Sequence, residues 1–380
     1  MSRSSLILPG ATLGVLGGGQ LGRMFCVAAR TMGYRTVVLD PDPHSPAGKV
    51  ADEHIRADYA DQAALRRIVE TCDAVTIEFE NICVESLRFL ERDLPVSPPP
   101  KAVEIARNRV REKNFARDSG IRVAPFHAIN QEADLSSAIE EIGCPAILKR
   151  ATLGYDGKGQ HVVNTLAEAR EAFRQMGSVQ CVLERKLNLA LELSVLLARN
   201  DGGEYACYPV AENQHVNGIL DTSIVPARVD DSLAAQAEAN TVKLGRAMDY
   251  CGVLTVEYFV TTEGELVFNE MAPRPHNSGH YTMDACVTSQ FEQQVRALCG
   301  FTPGDTRLLS PIVMVNLLGD LWMPEWSCLL SEPSAKLHLY GKEAARPGRK
   351  MGHYSCLAVD VEEALRTARR IFRGLGAGKQ

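Results

Sequence analysis

Short apolar runs alternate with helical patterns through the first hundred residues. Leu13–Leu16 is one such run and ends in Gly17–Gly18–Gly19–Gln20–Leu21–Gly22, after which Met24, Val27 and Ala28 recur at helical spacing. Thr36–Leu39 is a second run, closed by Asp40; Ala74–Ile77 is a third, closed by Glu78–Phe79–Glu80–Asn81. Runs of this length, bounded by turn residues and separated by helices, predict the buried strands of an open parallel sheet. Such sheets bind ligands beyond the carboxyl ends of their strands, which puts Gln20, Asp40 and residues 78–81 on one rim.

The pattern breaks where Pro95, Pro98, Pro99 and Pro100 crowd together, and a domain boundary is expected there. A single charged helix is predicted from Ala102 to Ser119, carrying Arg109 and Lys113 one turn apart and stopped by Gly120. A helix near Leu135–Glu141 and a strand, Ala146–Leu148, then deliver Lys149. Further on come strands at Leu193–Ala198 and Tyr205–Val210, a helix over Leu233–Met248, and strands at Val253–Val260 and Leu266–Glu270. The chain therefore divides into a Rossmann-like domain over 1–100, a small lobe over 101–186 and a large lobe over 187–380.

Several groups of residues could carry chemistry. Gly17, Gly19 and Gly22 satisfy G-x-G-x-x-G between a strand and a helix, with Asp40 near the position of a ribose-binding acid. By itself this allows a dinucleotide, another phosphate ligand at the helix N-terminus, or a purely structural turn. Lys149 is more specific, because Gly154, Gly157 and Gly159 follow within ten residues and frame Tyr155, Asp156 and Lys158, with Gln160 next. Glycines let backbone N–H groups approach phosphate oxygens and let a loop close over them. The spacing is not that of a P-loop.

The acidic pair comes from counting. With Glu263–Gly264 as a two-residue hairpin loop, the register sets Glu257 opposite Glu270. Facing carboxylates repel unless a cation sits between them, and Mg2+ suits one or two carboxylates plus phosphate oxygens. In that register Asn269 points to the other face unless the backbone twists. Glu184 and Glu192 flank Arg185–Lys186–Leu187, a strand-to-linker passage suited to reading adenine and ribose. Arg274, His276, Asn277, Ser278 and His280 crowd a polar loop, and Arg346, Arg349 and Lys350 bracket Pro347–Gly348, a turn suited to a phosphate monoester.

The bulk properties narrow the class. The formal net charge of -6 over 380 residues argues against nucleic-acid binding. Eleven cysteines, scattered and without a C-x-x-C pair, read as reduced thiols. With no apolar run of membrane-spanning length and a glycine-broken N-terminal segment, a cytoplasmic protein without membrane contact is expected.

Taken together, residues 17–24, 78–81, 154–160, Glu212–His215, Asn269–Arg274 and Arg346–Lys350 resemble, in order and over nearly the whole chain, the ATP-grasp superfamily. Within it they resemble the N5-carboxyaminoimidazole ribonucleotide synthase family. The resemblance implies a three-lobed α/β ATP-grasp fold and a ligase of purine biosynthesis. ATP and bicarbonate would form carboxyphosphate, which carboxylates 5-aminoimidazole ribonucleotide with release of ADP and phosphate. It assigns Arg109, Lys149, the 154–160 loop (Gly154, Tyr155, Asp156, Gly157, Lys158, Gly159, Gln160), Glu184, Arg185, Lys186, Leu187, Glu192, His215, Asn269 and Glu270 to ATP. Glu257 and Glu270 fall to magnesium. Gln20, Glu80, His276, Asn277, Ser278, Lys342, Arg349 and Lys350 fall to the ribonucleotide, and Tyr155, Asp156, Lys158 and Arg274 to the chemical steps. A homodimer and a functional link to a mutase acting on the product are also implied.

Overall fold

A computed structural model describes residues 6–152, 154, 159–321 and 326–377. Tyr155, Asp156, Gly157 and Lys158 of the glycine loop lie outside the described residues. Three sheets organise the chain. The first is parallel, in the order β3-β2-β1-β4-β5, from β1 (Thr12–Leu16), β2 (Arg35–Leu39), β3 (Glu53–Ile55), β4 (Ala74–Ile77) and β5 (Val96–Ser97). Its central strands are buried on both faces, which is why they read as continuous apolar runs.

The second sheet is antiparallel, in the order β6-β9-β7-β8, from β6 (Phe126–Ile129), β7 (Ala146–Arg150), β8 (Gln160–Val163) and β9 (Cys181–Arg185). The third has nine strands. Its path runs β15-β14-β10-β12-β13-β16-β18-β17, with β11 paired to β10. Their ranges are β10 (Leu189–Arg199), β11 (Tyr205–Cys207), β12 (Ala211–Val216), β13 (Ile219–Val225), β14 (Gly252–Thr261), β15 (Leu266–Ala272), β16 (Ile312–Leu318), β17 (Ala335–Leu339) and β18 (Lys350–Leu357). Among the described residues all eleven cysteines are free, and no helix is long and apolar enough to cross a membrane.

Within the proline cluster β5 forms the last strand of the first sheet, pairing with β4 through Val75↔Val96 and Thr76↔Ser97. A two-residue edge strand tolerates flanking prolines that a central strand would not. The helix over 102–119 is two helices, Pro100–Ala106 and Arg109–Asp118. Asn108 adopts extended backbone between them, and its side-chain oxygen accepts from the N–H groups of Val110 and Arg111. This N-cap starts a new axis, and Arg109 sits on its first turn.

Helix Gln290–Leu298 has no counterpart among the sequence expectations. Phe291, Val295 and Leu298 pack with Leu13, Val15 and Phe25, so a helix from the third unit completes the core of the first. Its neighbouring face carries the buried Gln290, Gln293 and Gln294. Gln294 Oε1 accepts from Val253 N–H at 2.7 Å, and its Nε2 donates to Thr76 Oγ1 at 2.9 Å, tying the first sheet to the third. Three glutamines in five residues give this helix the pattern of a solvated surface, so its sequence does not mark it as interior.

Gln294→Ala strands the Val253 N–H in the interior and is expected to cost about 2–3 kcal/mol. Urea denaturation checks this against Gln131→Ala, at an exposed position. Equal midpoints for the two variants would refute the tether.

Candidate active site

Two cavities meet between the sheets. The larger, about 760 Å³, is lined by Gln20, Glu80, Gly154, Arg274, Asn277, Lys342, Arg346 and Arg349, among others. The smaller, about 290 Å³, is lined by Lys149, Gln160, Glu184, Arg185, Lys186, Leu187, Glu192, His215 and Asn269. Arg109, Glu257, Glu270, His276 and Lys350 line both. Among residues that line a single cavity, those proposed for the nucleotide fall in the smaller, Gly154 excepted, and those proposed for the ribonucleotide in the larger; the five shared residues form a common wall.

That wall includes the β14–β15 pair, where Glu257 stands opposite Glu270 as counted. The route to this pairing differs from the expectation. The hairpin loop has three residues, 262–264, with Thr261 N–H donating to Glu265 O (3.0 Å) and Gly264 at a φ of +81°. Pairs from Val260↔Leu266 to Tyr258↔Phe268 are consequently one residue out of the expected register. A shift between Tyr258 and Glu257 leaves Asn269 as an extra residue and restores Glu257↔Glu270. This bulge is the backbone twist that lets Asn269 line the same cavity as Glu270.

The environment treats the two acids differently. Arg109 Nη1 donates to Glu270 Oε2 at 2.7 Å, and His276 Nε2 lies 3.2 Å from Glu257 Oε1. Burial pushes the Glu270 carboxyl up, but the Arg109 guanidinium outweighs it and holds the pKa below the usual range. Burial and the Glu270 charge raise that of Glu257. A pair of hard oxygen donors whose mutual repulsion a cation would relieve fits Mg2+ chemically.

Lys149 Nζ donates to Glu184 Oε2 at 3.0 Å, and Lys113 Nζ lies 3.1 Å from the same oxygen. Burial would raise the Glu184 pKa, but Lys113, Lys149 and Arg109 hold it at about 2. Lys149 is itself shifted down, by burial and by its cationic neighbours. Lys113, only 1% exposed and also donating to Asn269 O (3.2 Å), was missed as a site residue. Its spacing of one turn from Arg109 was the available signal. Glu112, which lines the larger cavity and accepts from Met271 N–H at 2.6 Å, was missed as well. Burial and the Glu270 charge push its carboxyl up to about 8, and no local pattern sets it apart on a charged helix.

The first glycine turn departs from its expectation. Gly18 N–H donates to Asp40 Oδ2 at 2.6 Å, Leu21 N–H to Glu78 Oε1 at 3.2 Å, and Gly19 N–H to Glu78 Oε2. Asp40 accepts in addition from Tyr59 Oη (2.6 Å) and Asp42 N–H (2.8 Å). The protein's own carboxylates thus fill both the helix N-terminus and the supposed ribose acid, which removes the dinucleotide reading. A Cβ on Gly18 would come within 2.7 Å of Asp40 Cγ, so glycine makes room for an acid.

In the polar loop, Arg274 Nε donates to Glu80 Oε2 at 2.6 Å, joining the third sheet's loop to the first domain. Asn277 lines the larger cavity, is buried, and neither its amide oxygen nor its nitrogen has a partner among the described residues. Ser278 is a correction: fully buried, it lines neither cavity, and its Oγ lies 2.8 Å from Ser194 Oγ and 2.9 Å from His276 Nδ1. It orients the histidine. His280 is likewise buried behind the loop. In the basic turn Gly348 has a φ of +71° and donates its N–H to Asp320. Lys342 Nζ donates to Lys350 O (2.7 Å), which draws the turn against the cavity. Glu192 pairs with His215 Nδ1 at 2.9 Å on the far wall of the smaller chamber.

Comparison with known proteins shows the family. Three domain profiles match in series: a ribonucleotide synthetase preATP-grasp domain over residues 10–107, an ATP-grasp domain over 114–291, and a phosphoribosylaminoimidazole carboxylase C-terminal domain over 312–367. The N5-carboxyaminoimidazole ribonucleotide synthase of Bacillus subtilis is 44% identical over 360 residues, covering 94% of each chain. That of Brucella melitensis is 44% identical, covering 93% of this chain and 98% of its own. Among solved structures, an ADP complex of an N5-carboxyaminoimidazole ribonucleotide synthetase superposes with a TM-score of 0.93 at 43% identity and full coverage of both chains. The Aspergillus clavatus synthase with ADP and 5-aminoimidazole ribonucleotide gives 0.90 at 31% identity, covering 97% and 99%. With an α/β ATP-grasp fold and relatives this similar over this length, the chain belongs to the N5-carboxyaminoimidazole ribonucleotide synthases, ATP-grasp ligases of purine biosynthesis.

Proposed function

We propose that the chain uses ATP and bicarbonate to carboxylate the amino group of 5-aminoimidazole ribonucleotide, through carboxyphosphate. The observation that carries this reading is the shared wall: Arg109, Glu257, Glu270, His276 and Lys350 face both chambers. A phosphoryl group activated in one chamber can therefore react at the mouth of the other. ATP occupies the smaller chamber, its phosphates towards Lys149 and Arg109 and its base against the 184–187 linker. The ribonucleotide occupies the larger, its phosphate on Lys342, Arg349 and Lys350 and its ring near Arg274, His276 and Asn277.

A bicarbonate oxygen attacks the terminal phosphorus of ATP and ADP leaves. The exocyclic amine then attacks the carboxyl carbon, phosphate leaves, and the amine gives up a proton. Glu257 and Glu270, with Asn269 beside them, would hold Mg2+, which there neutralises charge on the phosphates. Arg109 and Lys149 disperse charge on the transferring phosphoryl group. Gly154 lines the larger chamber and Gln160 the smaller. We assign Tyr155, Asp156 and Lys158, with Arg274, to orienting the amine and excluding water, since carboxyphosphate hydrolyses readily. The reaction belongs in the cytoplasm, in a homodimer whose product passes to a mutase.

ADP release is expected to require both aminoimidazole ribonucleotide and bicarbonate, with formate unable to replace the latter. A coupled ADP assay measures this, and turnover with formate would point to a formyl-transferring ligase instead. Glu270→Ala is expected to lower kcat at least 100-fold while circular dichroism stays native; retained turnover would remove the metal assignment. Asn277→Ala should raise KM for the ribonucleotide about 10-fold and leave KM for ATP unchanged, the loss of about one hydrogen bond. Equal changes in both constants would exclude this role.

A further inference from the structure

One arrangement is built for a purpose the chemistry above does not include. Gln290 lies on the helix that completes the first domain's core and is fully buried. Its Oε1 accepts from His276 N–H at 2.8 Å, and its Nε2 donates to His276 O, also at 2.8 Å. One side-chain amide thus satisfies both backbone groups of one residue, as a neighbouring strand would. The same Nε2 lies 3.0 Å from His280 Nδ1, and Gln290 N–H donates to Thr282 Oγ1, which in turn donates to Gly279 O. The loop passes so close that a Cβ on Gly279 would meet Gln290 Oε1 at 2.6 Å.

We infer that Gln290 is a positioning residue for the carboxylation: it fixes the backbone of His276, and through it the imidazole that faces Glu257, relative to the first domain. The inference rests on the activity proposed above. His276 lines both chambers but belongs to a loop with no sheet partner among the described residues, so its placement must come from elsewhere. Ser278 and Ser194 set the ring on one side, and Gln290 sets the main chain on the other. Beside Gln290 in sequence, Phe291 is buried among Leu13, Val15 and Phe25. The loop that presents Arg274 and His276 is thereby held in register with the domain that presents Gln20 and Glu80. Displacement of a reacting group by about 1 Å can cost roughly 100-fold in rate, so such a brace has kinetic weight.

The test is a double-mutant cycle of Gln290→Met, which keeps the side-chain length without the amide, and His276→Ala. Gln290→Met is expected to lower kcat/KM for the ribonucleotide about 10- to 100-fold while ADP affinity, by calorimetry, stays within about two-fold. Combined with His276→Ala, it should add less than about three-fold to the loss seen in His276→Ala alone, because it acts through that residue. Losses that multiply, or an ADP affinity that falls in parallel, would overturn the inference. Should Gln290→Met not fold, Gln290→Glu, which keeps the acceptor for His276 N–H but cannot donate to its carbonyl when ionised, takes its place with the same expectations. A separate arm needs no turnover: in histidine-labelled free protein, the His276 ring nitrogen resonances should move in the Gln290 variant. Static resonances would sink the positioning role, whereas a wild-type protein silent towards the ribonucleotide would sink only the activity.

Discussion

Two carboxylates held face to face across β14 and β15 are the constraint around which the rest is arranged. Burying Glu257 beside Glu270 is unfavourable unless positive charge is supplied, and the protein supplies it asymmetrically. Arg109 binds Glu270, while Glu257 has a neighbouring imidazole and a raised pKa. Burial and nearby cations push the His276 pKa well below its usual value, so that ring brings no cation. The result is a site with charge compensation left incomplete on one acid. Both chambers open onto that deficit, and the basic residues around it are placed where phosphate oxygens and a cation could complete the balance.

The same economy of partners appears in the supporting framework. Lys113 and Lys149 converge on one oxygen of Glu184, whose other oxygen is buried without a partner among the described residues. Asp40 and Glu78 accept from the N–H groups of Gly18, Gly19 and Leu21, so the first glycine turn is tied to the first domain's own carboxylates. Helix Gln290–Leu298 does the longest-range work: its apolar face belongs to one domain's core, and its glutamines brace the other's strands and loop. Buried amides with every group paired fix geometry more strictly than apolar contacts, because any slip strands a donor or an acceptor.

Much of this was legible in the residue pattern. Strands β1, β2, β4, β7, β10, β14 and β15 were read from apolar runs, since burial on both faces demands continuous hydrophobicity. The Glu257–Glu270 pairing was counted correctly, but from two errors that cancel: a loop one residue longer than expected and a bulge at Asn269. Neither shows in local sequence, because Gly264 suits both turn types and a bulge depends on what the strand packs against. Ser278 and His280 share a polar loop with His276 and Asn277, and nothing in their order says which side chains face the cavity.

Composition and motif order by themselves determined the class of protein: glycine loops, a strand-borne lysine, a countable acid pair and a basic turn need only local chemistry to be seen. What tertiary structure alone decided is who meets whom. That Lys149 lies against Glu184, that Asp40 closes the first glycine turn, and that a glutamine-rich helix is interior all depend on contacts between residues distant in the chain. Such contacts follow from how sheets and helices pack, and packing leaves no periodic trace in any one segment.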